Sequence, residues 1–509
     1  MISLEDIRQR ASQGETFLPI WTTWSADLDT PVSTWLRISP GSPYGVLLES
    51  VDGGVHVGRW SVVATYPLWV FESRGDQSVR RWRDGRCDVY SGNPLAQLRR
   101  RMEPYRASPV PGCPALGQLF GMWSYELIRW IEPTVPVHAA AEGDCPDGLW
   151  MLCDHLLLFD QARRLLTAVS YINLQDQPDP QLARSDAQLR LQRLRDCILT
   201  PSQAHQSLAW QPTAPRQTPT TANRSRADFE AAVDQAREHI MAGDVFQLVL
   251  SQRLEAQLPH EPFSIYRSLR LVNPSPYMAY FNFGNWQLIG SSPEVMVKVE
   301  RQEDGTHDGK RLAVLRPIAG TRRRSPDPAT DAALAEELLA DPKERAEHVM
   351  LVDLARNDLG RVCQPGSVQL KDLMVIERYS HVMHLVSEVH GQLRETCDPL
   401  DVLVACFPAG TVSGAPKVRA MQLIHELEPA RRGPYSGVYG SMDLQGTINL
   451  AITIRTILAR PQAPGQWHVS VQAGAGIVYE SQPALEYEET LNKARGMLRA
   501  INCLEVDHP

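Results

Sequence analysis

The chain has 509 residues, enough for two or three domains or one large two-part body, and its 43% hydrophobic and 22% charged content is that of a globular protein. A net charge of −8 without a basic block argues against nucleic acid as a partner, and no apolar run approaches transmembrane length, so no membrane partner is expected. Nine irregularly spaced cysteines without a C-x-x-C pair, behind an N-terminus (MISLEDIRQR) that lacks an apolar targeting core, predict reduced thiols in a cytoplasm rather than disulfides or zinc.

Residues 1–200 alternate short apolar runs with Gly, Pro and Asp. Runs at Tyr44 to Ser50, Ser61 to Phe71, Leu149 to Asp160 and Arg164 to Ile172 predict strands of a mostly antiparallel sheet. A helix over Gln181 to Leu199 follows. Residues 201–224, rich in Pro, Thr, Gln and Ala without periodicity, read as a linker to a region spanning 225–509.

Beyond the linker, Ser225 or Asp228 caps a predicted helix with apolar positions Phe229, Val233, Ala236 and Ile240, ended by Gly243. The strand Val245 to Gln257 carries Gln247 among apolar neighbours, a polar group that needs a partner. Next come the Pro-rich NPSPYM (Asn273 to Met278) and a turn at Ser292-Pro293, with Glu294 opening an apolar strand. Asp341-Pro342 divides residues 331–361 into two helices, and Glu344 and Glu347 share a face of the second. The stretch YSHVMHLVSEVHG carries His381, His384 and His390. A Gly-rich loop then precedes a helix that begins at Lys417, an arrangement that aims backbone N–H groups at an anion. Arg455 lies in a strand, and Gly474-Ala475-Gly476 offers a second set of backbone donors. On the C-terminal helix Glu486, Glu489 and Lys493 fall along one face. Two carboxylate pairs on two helices match the oxygen ligands that a hard cation such as Mg²⁺ takes.

These segments, in this order, resemble the chorismate-utilising enzymes, and among them the component I chains of anthranilate synthases. The likeness rests on AGDVFQLVLSQR, GSSPE, RPIAGT, ADPKERAEHVMLVDLARNDLGR, HVMHLVSEV, FPAGTVSGAPK, GPYSG, ITIRT, AGAGIV and EYEETLNKA, and LLES (Leu47 to Ser50) extends it into the N-terminal half. The resemblance implies an α+β fold, a large mostly antiparallel β-sandwich flanked by helices. It implies Mg²⁺ bound directly by Glu347 and Glu489, supported by Glu344 and Glu486. Tyr435, Arg455, the Gly474, Ala475 and Gly476 backbone and Lys493 match positions that hold the substrate carboxylates. Glu294 matches the general acid, His384 the active-site histidine, and Thr411 lines the pocket.

Two positions bear on the reaction. Relatives that add water carry a lysine where Gln247 stands, and those that form aminodeoxychorismate typically carry one where Ala319 stands. Neither residue here is basic or nucleophilic. The resemblance therefore implies amination of chorismate to anthranilate, with ammonia from a separate glutamine amidotransferase subunit in a hetero-oligomer, since no G-x-C-x-G loop occurs in the sequence. It also implies feedback by tryptophan at Glu49, Ser50, Pro274, Ser275, Pro276, Tyr277 and Met278. One departure stands out: Gly437-Val438-Tyr439-Gly440-Ser441 replaces the G-A-V-G-Y of many relatives. A synthase that stops at aminodeoxyisochorismate, an aminodeoxychorismate synthase, which Ala319 opposes, and a non-catalytic amino-acid sensor are the alternatives.

Overall fold

The computed structural model describes residues 2–50, 58–114, 117–141, 143–200, 207–213, 217–301, 310–379 and 382–505. His381 lies outside them. The predicted sandwich is present as two 12-stranded sheets whose strand pairings are antiparallel throughout. The first sheet runs from Phe17–Ser25 through Leu165–Asn173, His155–Asp160, Trp60–Thr65 and Tyr44–Glu49. It continues through Tyr277–Phe283, Gln287–Ser292, Thr456–Ala463 and Gln466–Ile477 to Gln247–Leu258. The second sheet brings Val295–Arg301, Ile448–Ile452 and Val438–Met442 alongside Leu119–Trp123 and Gly148–Leu152.

The boundary at 201–224 does not separate two bodies. Tyr44–Glu49 pairs with Tyr277–Phe283, and Leu119–Trp123 with Val438–Met442, so both sheets are continuous across the two halves of the chain. Parts of 201–224 are themselves built in: the Trp210 indole donates to Ser268 at 3.0 Å, and Thr221–Ala222 joins the sheet edge. Between the sheets lies the main core, with Trp69, Trp123, Trp150 and Phe281 fully buried. A second core packs the outer face of the first sheet against helices Pro262–Val272 and Pro483–Asn502. All nine cysteines are free thiols, and no helix among the described residues is long and apolar enough to cross a membrane.

Two predicted strands are corrected. The run over Ser61 to Phe71 forms Trp60–Thr65 in the first sheet and Trp69–Arg74 in the second, and Leu149 to Asp160 likewise divides into Gly148–Leu152 and His155–Asp160. At the first break Tyr66 takes a φ of 49° and Pro67 has no N–H to continue a ladder. At the second, the buried Asp154 carboxylate engages Arg83 at 2.7 Å and His155 at 2.7 Å. An apolar run reads the same whether it stays in one sheet or changes sheets.

The helices follow their local signals. Ser225 caps Arg226–Met241 in a capping box with Asp228, and Asp341 caps Pro342–Gly360 from the end of Pro328–Ala340. Lys417 opens the helix Lys417–Leu427 without facing an anion site: its ammonium is taken by Asp358 at 2.8 Å and the Cys406 carbonyl at 3.2 Å. Just past that helix sits an enclosed ion pair, Glu428 with Arg432, whose side chains are 4% and 1% exposed. Arg432 also donates to the Val412 and Val249 carbonyls, each at 2.7 Å, and to the Ser436 hydroxyl at 3.1 Å. Glu428 in turn accepts from the Ser251 N–H and hydroxyl, both at 2.8 Å. Arg432→Met leaves a buried carboxylate without its cation, so urea unfolding followed by tryptophan fluorescence is expected to show a loss of about 3–5 kcal/mol. A loss below about 1 kcal/mol, the range of exposed pairs, would contradict this role.

Candidate active site

The network around Arg432 joins the strand Gln247–Leu258, the segment holding Thr411 and the turn holding Tyr435, each of which carries an expected site residue. On the strand, Gln247 is 5% exposed; its Nε2 lies 3.5 Å from a Glu347 oxygen while its Oε1 has no partner among the described residues. Strand Gln466–Ile477 pairs with it, Gly476 opposite Val249 and Gly474 opposite Ser251. Beyond Val471 this strand loses its other neighbour, Thr456–Ala463, which frees one backbone edge. Side chains at Gly474 and Gly476 are excluded by close approach: an added Cβ would sit 2.6 Å from the Tyr435 hydroxyl and 2.7 Å from Gln247 Nε2. Lys493 reaches in from the C-terminal helix, donating to the Gly474 carbonyl at 2.9 Å and pairing with Glu489 at 2.7 Å.

Glu294 stands where the chain leaves the first sheet at Ser292 and enters the second at Val295. Burial pushes its carboxyl up to about 7, against the Thr411 hydroxyl, which donates at 2.9 Å, and the nearby Lys493 charge. It is therefore a carboxylic acid able to carry a proton near neutral pH. His384, on strand Val382–Gln392, is held below its ordinary value by burial and by Arg455, so the imidazole is neutral. Its Nδ1 lies 2.8 Å from the Gly320 carbonyl. A carbonyl only accepts, so the ring carries its hydrogen there and Nε2 is left as an acceptor. Burial also lowers the pKa of Arg455, with Tyr435 and Glu489 acting the other way. A partly desolvated guanidinium between a phenol and a carboxylate suits a bidentate anion.

Among the described residues, no three His, Cys, Asp or Glu side chains form a group that could hold a metal ion. The two carboxylate pairs sit on helices close enough for charge to act between them all the same. Lys343, at the start of Pro342–Gly360, acts on Glu486 of the C-terminal helix. Burial raises the Glu344 carboxyl, and the Glu347 charge raises it further. Glu486 is likewise raised by burial, relieved by the Ser481 hydroxyl, and raised again by Glu489. Crowded carboxylates, with oxygen as the only donor type, fit a hard divalent cation that completes its shell with water and substrate oxygens.

The segments Leu47 to Ser50 and Asn273 to Met278 come together, with Glu49 directly opposite Met278. Glu49 is 4% exposed and already occupied, accepting from the Tyr266 hydroxyl at 2.5 Å with Arg270 at 3.1 Å. The hydroxyls of Ser50 and Ser275 are buried without partners among the described residues. Ala319, the position expected to discriminate between reactions, is buried on strand Ile318–Arg323 at a bulge beside Gly320. His390 lies in the sheet opposite Val314 and Gln369 and is not linked to the cleft by any of these contacts. Sequence reasoning missed Arg432 and Glu428, whose only signal is a charge pair four apart, and the Gly320 carbonyl, which no side-chain pattern announces.

The Thr411 hydrogen bond stabilises the charged form of Glu294, so Thr411→Val is expected to raise the Glu294 pKa above about 7. Infrared titration of the carboxyl band, referenced to Glu294→Gln, checks the sign. A downward shift would contradict the assigned contact.

The family described as chorismate binding enzyme matches residues 49–499. Anthranilate synthase component 1 of Synechocystis sp. is 52% identical over 500 residues, covering 97% of each chain. The crystal structure of anthranilate synthase component I from Streptococcus pneumoniae superposes with a TM-score of 0.75 at 32% identity, covering 93% of this chain and 98% of that one. The menaquinone-specific isochorismate synthase of Escherichia coli, at 20% identity and a TM-score of 0.66 over 98% of both chains, shares the fold. The chain belongs to the chorismate-binding enzymes, within their anthranilate synthase component 1 branch.

Proposed function

We propose that this chain converts chorismate and ammonia to anthranilate, pyruvate and water. The observation that carries the reading is Gln247, buried beside Glu347 with its Oε1 unpartnered among the described residues. An amide oxygen cannot deprotonate water, but it accepts an N–H from ammonia and aims the nitrogen lone pair away from itself. Ammonia adds at C2 of the ring, the double bonds shift, and the 4-hydroxyl departs as water with the Glu294 proton. Arg455, Lys493 and the free edge at Gly474 to Gly476 hold the substrate carboxylates. Aromatisation then releases the C2 proton and the enolpyruvyl group. The free Nε2 of His384 suits it to take that proton.

Mg²⁺ fits Glu347 and Glu489 as ligands with Glu344 and Glu486 behind them, and when bound it supplies a positive centre that offsets substrate carboxylate charge. The ammonia comes from a glutamine amidotransferase partner, consistent with the component 1 naming of the relatives, in a cytoplasmic hetero-oligomer. The purified chain is expected to form fluorescent anthranilate from chorismate, Mg²⁺ and ammonium salt at alkaline pH, and none with glutamine in place of ammonium. Glu347→Gln is expected to lower that rate by more than ~100-fold, beyond what outer-shell changes at metal sites cost. Accumulation of aminodeoxyisochorismate without anthranilate would favour the synthase that stops at that intermediate. Normal Mg²⁺-dependent turnover of the Gln variant would remove the metal assignment.

Tryptophan feedback is the second part of the reading. Glu49 beside Arg270 offers an anion and a cation to a zwitterion, and the hydroxyls of Ser50 and Ser275 have no partner among the described residues. Binding there must favour the inactive form, typically by about 1–3 kcal/mol. Ser50→Phe is expected to fill the space and relieve inhibition at an unchanged uninhibited rate. Unaltered tryptophan sensitivity in that variant would move the site elsewhere.

A further inference from the structure

Tyr439 is buried at 2% exposure on strand Val438–Met442 of the second sheet. Its hydroxyl crosses the sandwich to the first sheet. There it donates to the Tyr277 carbonyl at 2.7 Å and accepts from the Ser292 N–H at 3.1 Å. Tyr277 and Ser292 are the terminal partners of two adjacent strands, so the phenol caps the last rung of that pairing. The ring fits because residue 290 is glycine, where an added Cβ would lie 2.6 Å from the Tyr439 oxygen. Ser292 is the last residue before the chain changes sheets, and its hydroxyl contacts the Glu294 backbone twice, accepting from the N–H at 3.3 Å and lying 3.2 Å from the carbonyl. The Glu294 carbonyl accepts in turn from the Ile452 N–H of the second sheet at 3.0 Å.

We propose that Tyr439 is a positioning residue for Glu294: by fixing Ser292 from the opposite sheet, it sets where the proton-donating carboxyl stands over the substrate. The proposal rests on Glu294 being the general acid of the function proposed above. The alternative role for a buried tyrosine is to fill the sandwich, which the ring does without its oxygen. A hydroxyl that meets both members of a terminal strand pair, one residue before a sheet crossover, fixes an angle as well as a volume. The side chain two residues on inherits that angle.

Tyr439→Phe keeps the ring and removes both contacts. With ammonium as the nitrogen donor, kcat is expected to fall roughly 10–100-fold, the cost of a small misplacement of a reacting group, while KM for chorismate stays within about twofold. In a Glu294→Gln background the same change is expected to cost almost nothing further, because a residue that acts only through the acid has nothing left to position. Ser292→Ala, which removes the hydroxyl at the Glu294 backbone and leaves the phenol paired, is expected to show the same two signatures and decides the matter if the Phe variant does not fold. Full turnover by Glu294→Gln overturns the acid assignment itself. If Glu294→Gln loses turnover but Tyr439→Phe and Ser292→Ala keep the parent kcat, or if the losses multiply in full, Tyr439 is a packing residue and the positioning role is wrong.

Discussion

Arg432 is a cation with almost no contact with water, and the cleft is assembled by the way its five N–H groups are distributed. Its desolvation is offset by Glu428, which receives Nε and Nη2 at 2.8 and 2.7 Å. The remaining donors reach three chain segments: the Val412 carbonyl, the Val249 carbonyl and the Ser436 hydroxyl. The first two segments also meet through the Val249 N–H, which donates to the Ser413 carbonyl at 2.9 Å. Each segment carries one wall of the site, namely Thr411, Gln247 and Tyr435. A hydrophobic pair of the same volume would fill the space and leave those backbone groups unsatisfied, which is where the specificity of a buried ion pair lies.

Within that frame the electrostatics are divided by depth. Glu294 and His384 lie deep enough for burial to dominate, so the acid can carry a proton up to about neutral pH and the imidazole is pushed toward its neutral form. Glu489 and Lys493, further out, remain solvated and paired, with Glu489 46% exposed. One cleft thus offers a proton donor and a neutral acceptor at its floor and fixed charges at its rim, which is the separation that an acid-assisted displacement on a dianion calls for.

Much of this was legible in the sequence. The helix divide at Asp341-Pro342, the Ser225 cap and the i, i+3 carboxylate pairs depend on neighbours within one turn of chain, and they stand as read. Glu294 could be singled out from its turn and from the resemblance, but its raised pKa depends on burial between two sheets, which no local pattern encodes. The strand breaks at Tyr66 and Asp154 were missed because the alternation of apolar residues survives a change of sheet. Lys417 looked poised for an anion because its partner, Asp358, is 59 residues away in sequence. Tyr439 was noticed as a departure from a motif, while its partners at Tyr277 and Ser292 are set by the meeting of two sheets.

The interleaving of the two halves has a consequence for how the chain is made. As residues 1–200 leave the ribosome, Tyr44–Glu49 and Leu119–Trp123 each present an open edge whose native neighbours, Tyr277–Phe283 and Val438–Met442, are still unsynthesised. Valine, leucine, phenylalanine and tryptophan line those edges, the composition that pairs indiscriminately when left open. The second sheet cannot close until more than four-fifths of the chain has been translated. The nascent N-terminal half therefore carries exposed apolar strand edges throughout that interval, the kind of surface that is prone to aggregate. Splitting the gene within 201–224 would yield two fragments, each with open strand edges where the other's strands belong.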